Sequence, residues 1–198
     1  MAIEVRPVVI PDGLVNGKLT PCQLAPVYFP AIGMIGVYPA AKRAWDMMAA
    51  VCFADTGLKL TITSAADAYR SYDQQSAAFN KRMSPSYNPL TCTTTTRTWD
   101  GHKYWLRRGF APVATPGTSN HGYGIAFDTA WYIAGRTVGI QSSTAGWQWI
   151  VNNALLFGFS WEGAMPPSKN FEPWHLRHTF GDDVSPLVKD CEASFTTV

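Results

Sequence analysis

Residues 119–132 read S-N-H-G-Y-G-I-A-F-D-T-A-W-Y, and the rest of the chain is best understood outward from them. From Gly124 to Tyr132, Ile125, Phe127, Thr129 and Trp131 fall on one side of an extended chain, and Ala126, Asp128 and Ala130 on the other. That period of two is the signature of a strand. His121 sits where the chain would bend into this strand, and Asp128 follows seven residues later. A bend at His121 can return the Asp128 carboxylate to the side of the imidazole, so this strand entry is the first place to look for chemistry.

Upstream, Ala44, Trp45, Met48, Val51 and Cys52 recur at three- and four-residue spacing from Ala40 to Asp55, with Gly57 as a stop signal, which predicts a helix with one buried face. Leu58, Leu60 and Ile62 alternate with Lys59, Thr61 and Thr63, predicting a half-buried strand, and a second helix is expected after Ser71 to about Met83. Arg70 thus falls in a turn between strand and helix. Downstream, Ser143 or Thr144 is expected to cap a helix through about Phe157, with Trp147, Ile150, Val151, Ala154 and Leu155 on its core side. A last short strand is expected near Pro173 to Arg177.

Three segments carry no such pattern. Residues 1–39 hold Pro7, Pro11, Pro21, Pro26, Pro30 and Pro39, too dense for a continuous helix or a central strand, and read as an N-terminal strap. Residues 84–117, with TCTTTT and the basic-aromatic run RTWDGHKYWLRR, read as a long insertion loop, of the kind that is usually functional or mobile. Its Lys103, Tyr104, Trp105, Arg107 and Arg108 read first as a solvated face and, more sharply, as a lid or wall-contacting surface. Residues 183–198 read as a C-terminal tail.

Composition bounds the function. A chain of 198 residues with 46% hydrophobic content, 8 Trp, 8 Tyr and 10 Phe suits one well-cored domain and excludes global disorder. A net charge of +2 is far from the basic excess that nucleic-acid binding leaves. No apolar run approaches the roughly 18 residues of a membrane span. The opening MAIEVRPVVIPDG shows no basic, apolar and cleavage regions of a secretory signal. Cys22, Cys52, Cys92 and Cys191 lack C-x-x-C spacing, which argues against a structural zinc knuckle and leaves both free thiols and two disulfides open.

The chain has four histidines: His102, His121, His175 and His178. In E-P-W-H, Glu172 stands three residues before His175. Two imidazoles and one carboxylate would fill three positions of a tetrahedral zinc and leave a fourth for water, the pattern of a catalytic site, and a carboxylate outside the ligand set is then needed to take the water's proton. Glu172 is near enough to His175 to serve. His178, three residues after His175, offers a rival H-x-x-H pair.

Together, S-x-H-x-x-G-x-A-x-D at Ser119, His121, Gly124, Ala126 and Asp128, and E-x-W-H at Glu172, Trp174 and His175, resemble the D-alanyl-D-alanine metallopeptidases of the lysostaphin, D-Ala-D-Ala peptidase and hedgehog superfamily. A-Y-R-S-Y-D-Q-Q-S is similar to that group's arginine motif at Arg70, Ser71 and Gln75, with Ala68 where glycine is common. The resemblance spans roughly residues 40–180 and implies a single α+β domain over residues 40–182, a small central antiparallel sheet flanked by helices. It implies one catalytic zinc on His121, Asp128 and His175, with Glu172 as general base. It further implies Arg70 gripping a substrate carboxylate, a task that suits a guanidinium fork, with Ser119, Gln75 and Trp174 beside the substrate. The implied reaction is hydrolysis of peptidoglycan stem peptides as a D-Ala-D-Ala carboxypeptidase; an L-Ala-D-Glu endopeptidase of the phage lysin kind and a non-catalytic wall-binding module are the alternatives. Without a secretory signal, a phage route to the wall is expected, as an endolysin or a virion part in contact with other virion proteins.

Overall fold

A computed structural model describes residues 4–163 and 171–195. In chain order its strands and helices are β1 (Ala25–Phe29), β2 (Gly33–Val37), α1 (Pro39–Thr56), β3 (Lys59–Ile62), α2 (Tyr72–Arg82), β4 (Met83–Ser84), β5 (Cys92–Trp99), β6 (His102–Arg107), β7 (Ala126–Ile133), β8 (Arg136–Gly139), α3 (Trp147–Asn153), β9 (Phe159–Trp161), β10 (His175–His178) and α4 (Pro186–Phe195). All strand pairs are antiparallel. The fold is mixed α+β: a five-stranded sheet in the order β3-β7-β10-β9, with β8 also on β7, accompanied by a β1-β2 hairpin and a three-stranded sheet β4-β6-β5.

The helix α1 begins with Pro39 at its first turn, where a missing N–H removes no helical bond, and ends on Gly57 in the left-handed conformation at φ 71°. Its inner face of Ala40, Ala41, Ala44, Trp45, Met48 and Cys52 is buried. Trp45 stacks on Phe127 of β7 with ring centroids 4.8 Å apart and meets Phe29 of β1 at 5.3 Å. Phe127, Leu176 of β10 and Phe159 of β9 continue the same cluster; burying each such side chain stabilises the fold by about 1.5–3 kcal/mol. The opposite face of these strands is thereby left free to carry polar groups.

The structure departs from the sequence expectations at four places. Residues 84–117 are not one loop, because β5 and β6 form a long hairpin; its Thr-rich strand is half-exposed to exposed from Thr93 to Trp99, so no hydrophobic alternation announces it. Residues 25–37 are a hairpin whose Val27, Phe29 and Val37 enter the main core, more than an external strap. Within the expected tail, Pro186–Phe195 forms α4, anchored by buried Val184 and Val188. The helix expected from Ser143 or Thr144 starts at Trp147 behind Gly146, at φ 81°, while Thr144 closes a turn with Gln141; a Cβ on Gly146 would press into Leu58 and Trp131. All four cysteines are free thiols. Among the described residues no helix is long and apolar enough to cross a membrane.

Candidate active site

Asp128 lies on β7 directly opposite His175 on β10, so the pairing register sets their side chains together on one face. The Asp128 Oδ1 to His175 Nδ1 distance is 2.8 Å. His121 arrives from the turn Asn120–Tyr123 that leads into β7 through Gly124, itself left-handed at φ 65°. The amide of Tyr38 donates to the Gly124 carbonyl, and a Cβ at Gly124 would press on that backbone, so the bend that returns His121 to the strand requires glycine there. His121 Nε2 stands 3.5 Å from Asp128 Oδ1, and the two imidazoles meet edge to face at 5.0 Å.

His121 Nδ1 donates to the Ala126 carbonyl at 3.2 Å. A carbonyl only accepts, so Nδ1 is the donor of this bond and Nε2 is the ring nitrogen that faces Asp128. Burial alone would raise the Asp128 carboxyl, but hydrogen bonds and charge from His121 and His175 outweigh it and hold the group well below the usual carboxylate range. Ligand atoms of His121, Asp128 and His175 all lie within 4.8 Å of one another. Two imidazoles and a carboxylate, largely buried, fit zinc with one position left open.

Glu172 lies at the rim just before β10. Its side chain is exposed, yet loss of solvent around the carboxyl raises its pKa, with the charges of Asp128 and Glu162 adding to the rise and those of His175 and His121 opposing it. A carboxyl held high is suited to carry a proton in turnover. Glu162, which no sequence motif marks, brings Oε2 to 3.5 Å from His175 Nε2, a buried atom with no other hydrogen-bond partner among the described residues.

Arg70 follows a short turn, and its backbone N–H donates to the His121 carbonyl at 3.1 Å, so the arginine turn and the histidine turn touch. Its Nη2 pairs with Asp67 at 3.0 Å and its Nε donates to the Ala66 carbonyl, leaving Nη1 without a partner among the described residues. Asp67 in turn accepts from Thr63 and Ser64; its place three residues before Arg70 was the signal that could have found it. Gln75 is buried and its amide is committed inside the protein, accepting from Gly117 N and donating to Asn16 and to the Arg70 carbonyl. That placement makes it a scaffold for the arginine turn, with both amide hydrogens given to acceptors inside the protein. The Ser119 backbone carbonyl is engaged by Asn16. Trp174 is half-buried and its carbonyl accepts from both the amide and the hydroxyl of Thr129.

His178 does not join the cluster. Three residues from His175 on a pleated strand, it faces the other way, opposite Phe159, with ring contacts to Phe159 at 5.7 Å and Phe180 at 6.3 Å. Burial pushes its imidazole down to about 4. His102 is exposed at the start of β6.

The model of a protein family described as VanY, D-alanyl-D-alanine carboxypeptidase, matches residues 35–182. A Bacillus subtilis (strain 168) protein named as a carboxypeptidase, YodJ, is 29% identical over 138 residues, which is 64% of this chain and 41% of that protein; the chain thus spans about two fifths of its length. Among solved structures, the LdcB LD-carboxypeptidase aligns with TM-score 0.56 at 23% identity, over 98% of this chain and 90% of its own. VanYB in complex with D-alanine-D-alanine aligns at 0.55 and 17%, over 96% and 97%. A vancomycin-resistance D,D-pentapeptidase VanY in complex with Zn(II) aligns at 0.50 and 21%, over 83% and 85%.

Proposed function

The chain belongs to the VanY D-alanyl-D-alanine carboxypeptidase family, and on that premise we propose that it is a zinc-dependent carboxypeptidase removing the terminal D-alanine from peptidoglycan stem peptides. The observation that carries this reading is the convergence of His121, Asp128 and His175 on one point beside a carboxyl, Glu172, whose pKa is raised. His121, Asp128 and His175 would hold the zinc. When bound, zinc supplies Lewis-acid polarisation of the scissile carbonyl and lowers the pKa of an attacking water toward about 7.

Glu172 accepts the proton of that water and returns it to the departing D-alanine amine, the two halves of general base and general acid work. Arg70, pre-oriented by its Asp67 pair, takes the terminal carboxylate of the substrate in a charge-assisted hydrogen bond. Trp174 supplies an apolar wall, and Ser119 orients the entry to the site. The backbone bond from Arg70 to His121 fixes the spacing between carboxylate binding and bond cleavage, which is what an enzyme that trims from a free end requires.

Mass spectrometry of a pentapeptide-stem muropeptide, incubated with zinc-loaded protein, tests the reading, with chelated protein and Glu172→Gln as controls. Loss of one terminal alanine, abolished by both controls, is expected. Release of the stem from its sugar-linked L-alanine would replace the reading with an endopeptidase, and no cleavage would replace it with a wall-binding module.

A further inference from the structure

Residues 16 and 17 precede the family match at residue 35 and stand in a proline-rich stretch without regular structure, yet they lie between the two turns that build the site. Asn16 is buried. Its Nδ2 donates to the Ser119 carbonyl at 2.8 Å, and its Oδ1 accepts from Gln75 Nε2 at 3.0 Å. The next residue repeats the bridge with its backbone: Gly17 N donates to the Gly122 carbonyl at 2.7 Å and Gly17 O accepts from Tyr72 N at 2.8 Å. One side of this two-residue wedge is the turn that carries His121; the other is the start of α2, directly after Arg70.

The fit leaves no slack. A Cβ on Gly122 would collide with the Asn16 amide, and one on Gly17, at φ 72°, would collide with Tyr72 N. Both ends of the Asn16 amide are satisfied by buried partners, and a buried amide that loses a partner leaves that partner unsatisfied. Gln75 depends on the same arrangement, since its amide also holds the Arg70 carbonyl and Gly117 N.

We propose that Asn16 is a positioning residue for the metal and carboxylate sites, acting through Ser119 and Gln75 to fix the His121 turn against the Arg70 turn. It touches neither substrate nor metal. The inference rests on the zinc reading above, and adds that the segment before the family match is part of the site's frame.

The test is zinc affinity, measured by competition with a chromophoric chelator on the full chain, alongside thermal unfolding of the metal-free protein. Asn16→Ala removes both bonds. Asn16→Asp keeps the acceptor for Gln75 and loses the donor to Ser119. Ser185→Ala removes a buried hydroxyl bonded to the Leu156 carbonyl on α4's side of the fold and controls for general destabilisation. Both Asn16 variants are expected to unfold cooperatively and to bind zinc about 10-fold more weakly, the lower end of what losing a ligand's own hydrogen-bond partner costs, because Asn16 holds the turn and not the imidazole itself. Ser185→Ala should bind zinc like the parent. In the Co(II)-substituted protein, the visible bands of both Asn16 variants should shift while those of Ser185→Ala do not. Parent-like zinc affinity in the Asn16 variants overturns the proposal, as does failure of both to unfold cooperatively, which would make Asn16 a general fold residue. A parent protein that binds no zinc would instead defeat the zinc reading itself.

Discussion

The two faces of the central sheet divide the protein's work, and the division shows most clearly on β10. His175 and Arg177 point to one side, Leu176 and His178 to the other. On the first side His175 meets Asp128 at 2.8 Å, with His121 close by. On the second, His178 is buried against Phe159 and Phe180, and neither ring nitrogen has a hydrogen-bond partner among the described residues. Two histidines on the same short strand thus have opposite chemistry. The carboxylate face stabilises charge; the aromatic face excludes it, and pushes His178 down to about 4. A strand's period of two is enough to separate them.

Substitutions on either face of the sheet should have distinct effects. The largest effect belongs to the polar face: Glu172→Gln should lower kcat by about 10²- to 10⁴-fold while zinc affinity and thermal unfolding stay at parental values, and steady-state kinetics with a stem pentapeptide reads the difference. In the same experiment His175→Ala should abolish zinc binding and His178→Phe should retain it. If His178→Phe lost zinc, the two-face reading would be wrong.

Next in size is the apolar face. Phe127→Ala opens a cavity under Trp45 and should cost about 3–5 kcal/mol in denaturant unfolding. A smaller and more discriminating effect concerns acid stability. His178 is neutral in the folded protein down to about pH 4, whereas in the unfolded chain it takes up a proton below about pH 6.5. Stability is therefore unaffected by this group above pH 6.5, is lost as pH falls from 6.5 to 4, and is lost no further below that. The difference between parent and His178→Phe in metal-free protein should grow by about 3 kcal/mol across that window. Parallel curves would show that the imidazole is not held neutral. Smallest of all, Thr98→Ala on the exposed part of β5 should change stability by no more than about 0.5 kcal/mol, because its side chain is exposed to solvent.

Legibility followed burial and local spacing. The alternation from Ile125 to Trp131, the helical spacing of Ala44, Trp45 and Met48, and the S-x-H-x-x-G-x-A-x-D motif each lie within one element, so one stretch of chain was enough to read them. The β5-β6 hairpin was illegible because its stability comes from backbone pairing and from Phe79, Trp99 and Tyr104 packing across elements, with threonines on the exposed strand. Glu162 was hidden for a similar reason: it meets His175 from another strand's end, with no spacing rule to connect them. Gln75 was legible as a motif position but not in its role, because an amide's partners lie wherever the fold brings them.

The identity of the chemical groups, the strand that carries Asp128 and the turn that carries Arg70 are all readable from the order of residues, since each depends on side-chain type and on neighbours within a few residues. That Asp128 stands opposite His175, that His178 turns away from them, and that Asn16 wedges between the His121 and Arg70 turns is set by the fold. Those facts depend on strand register and on the meeting of segments up to 103 residues apart. Burial and hydrogen bonding select such contacts across the whole chain at once, and no local pattern records them.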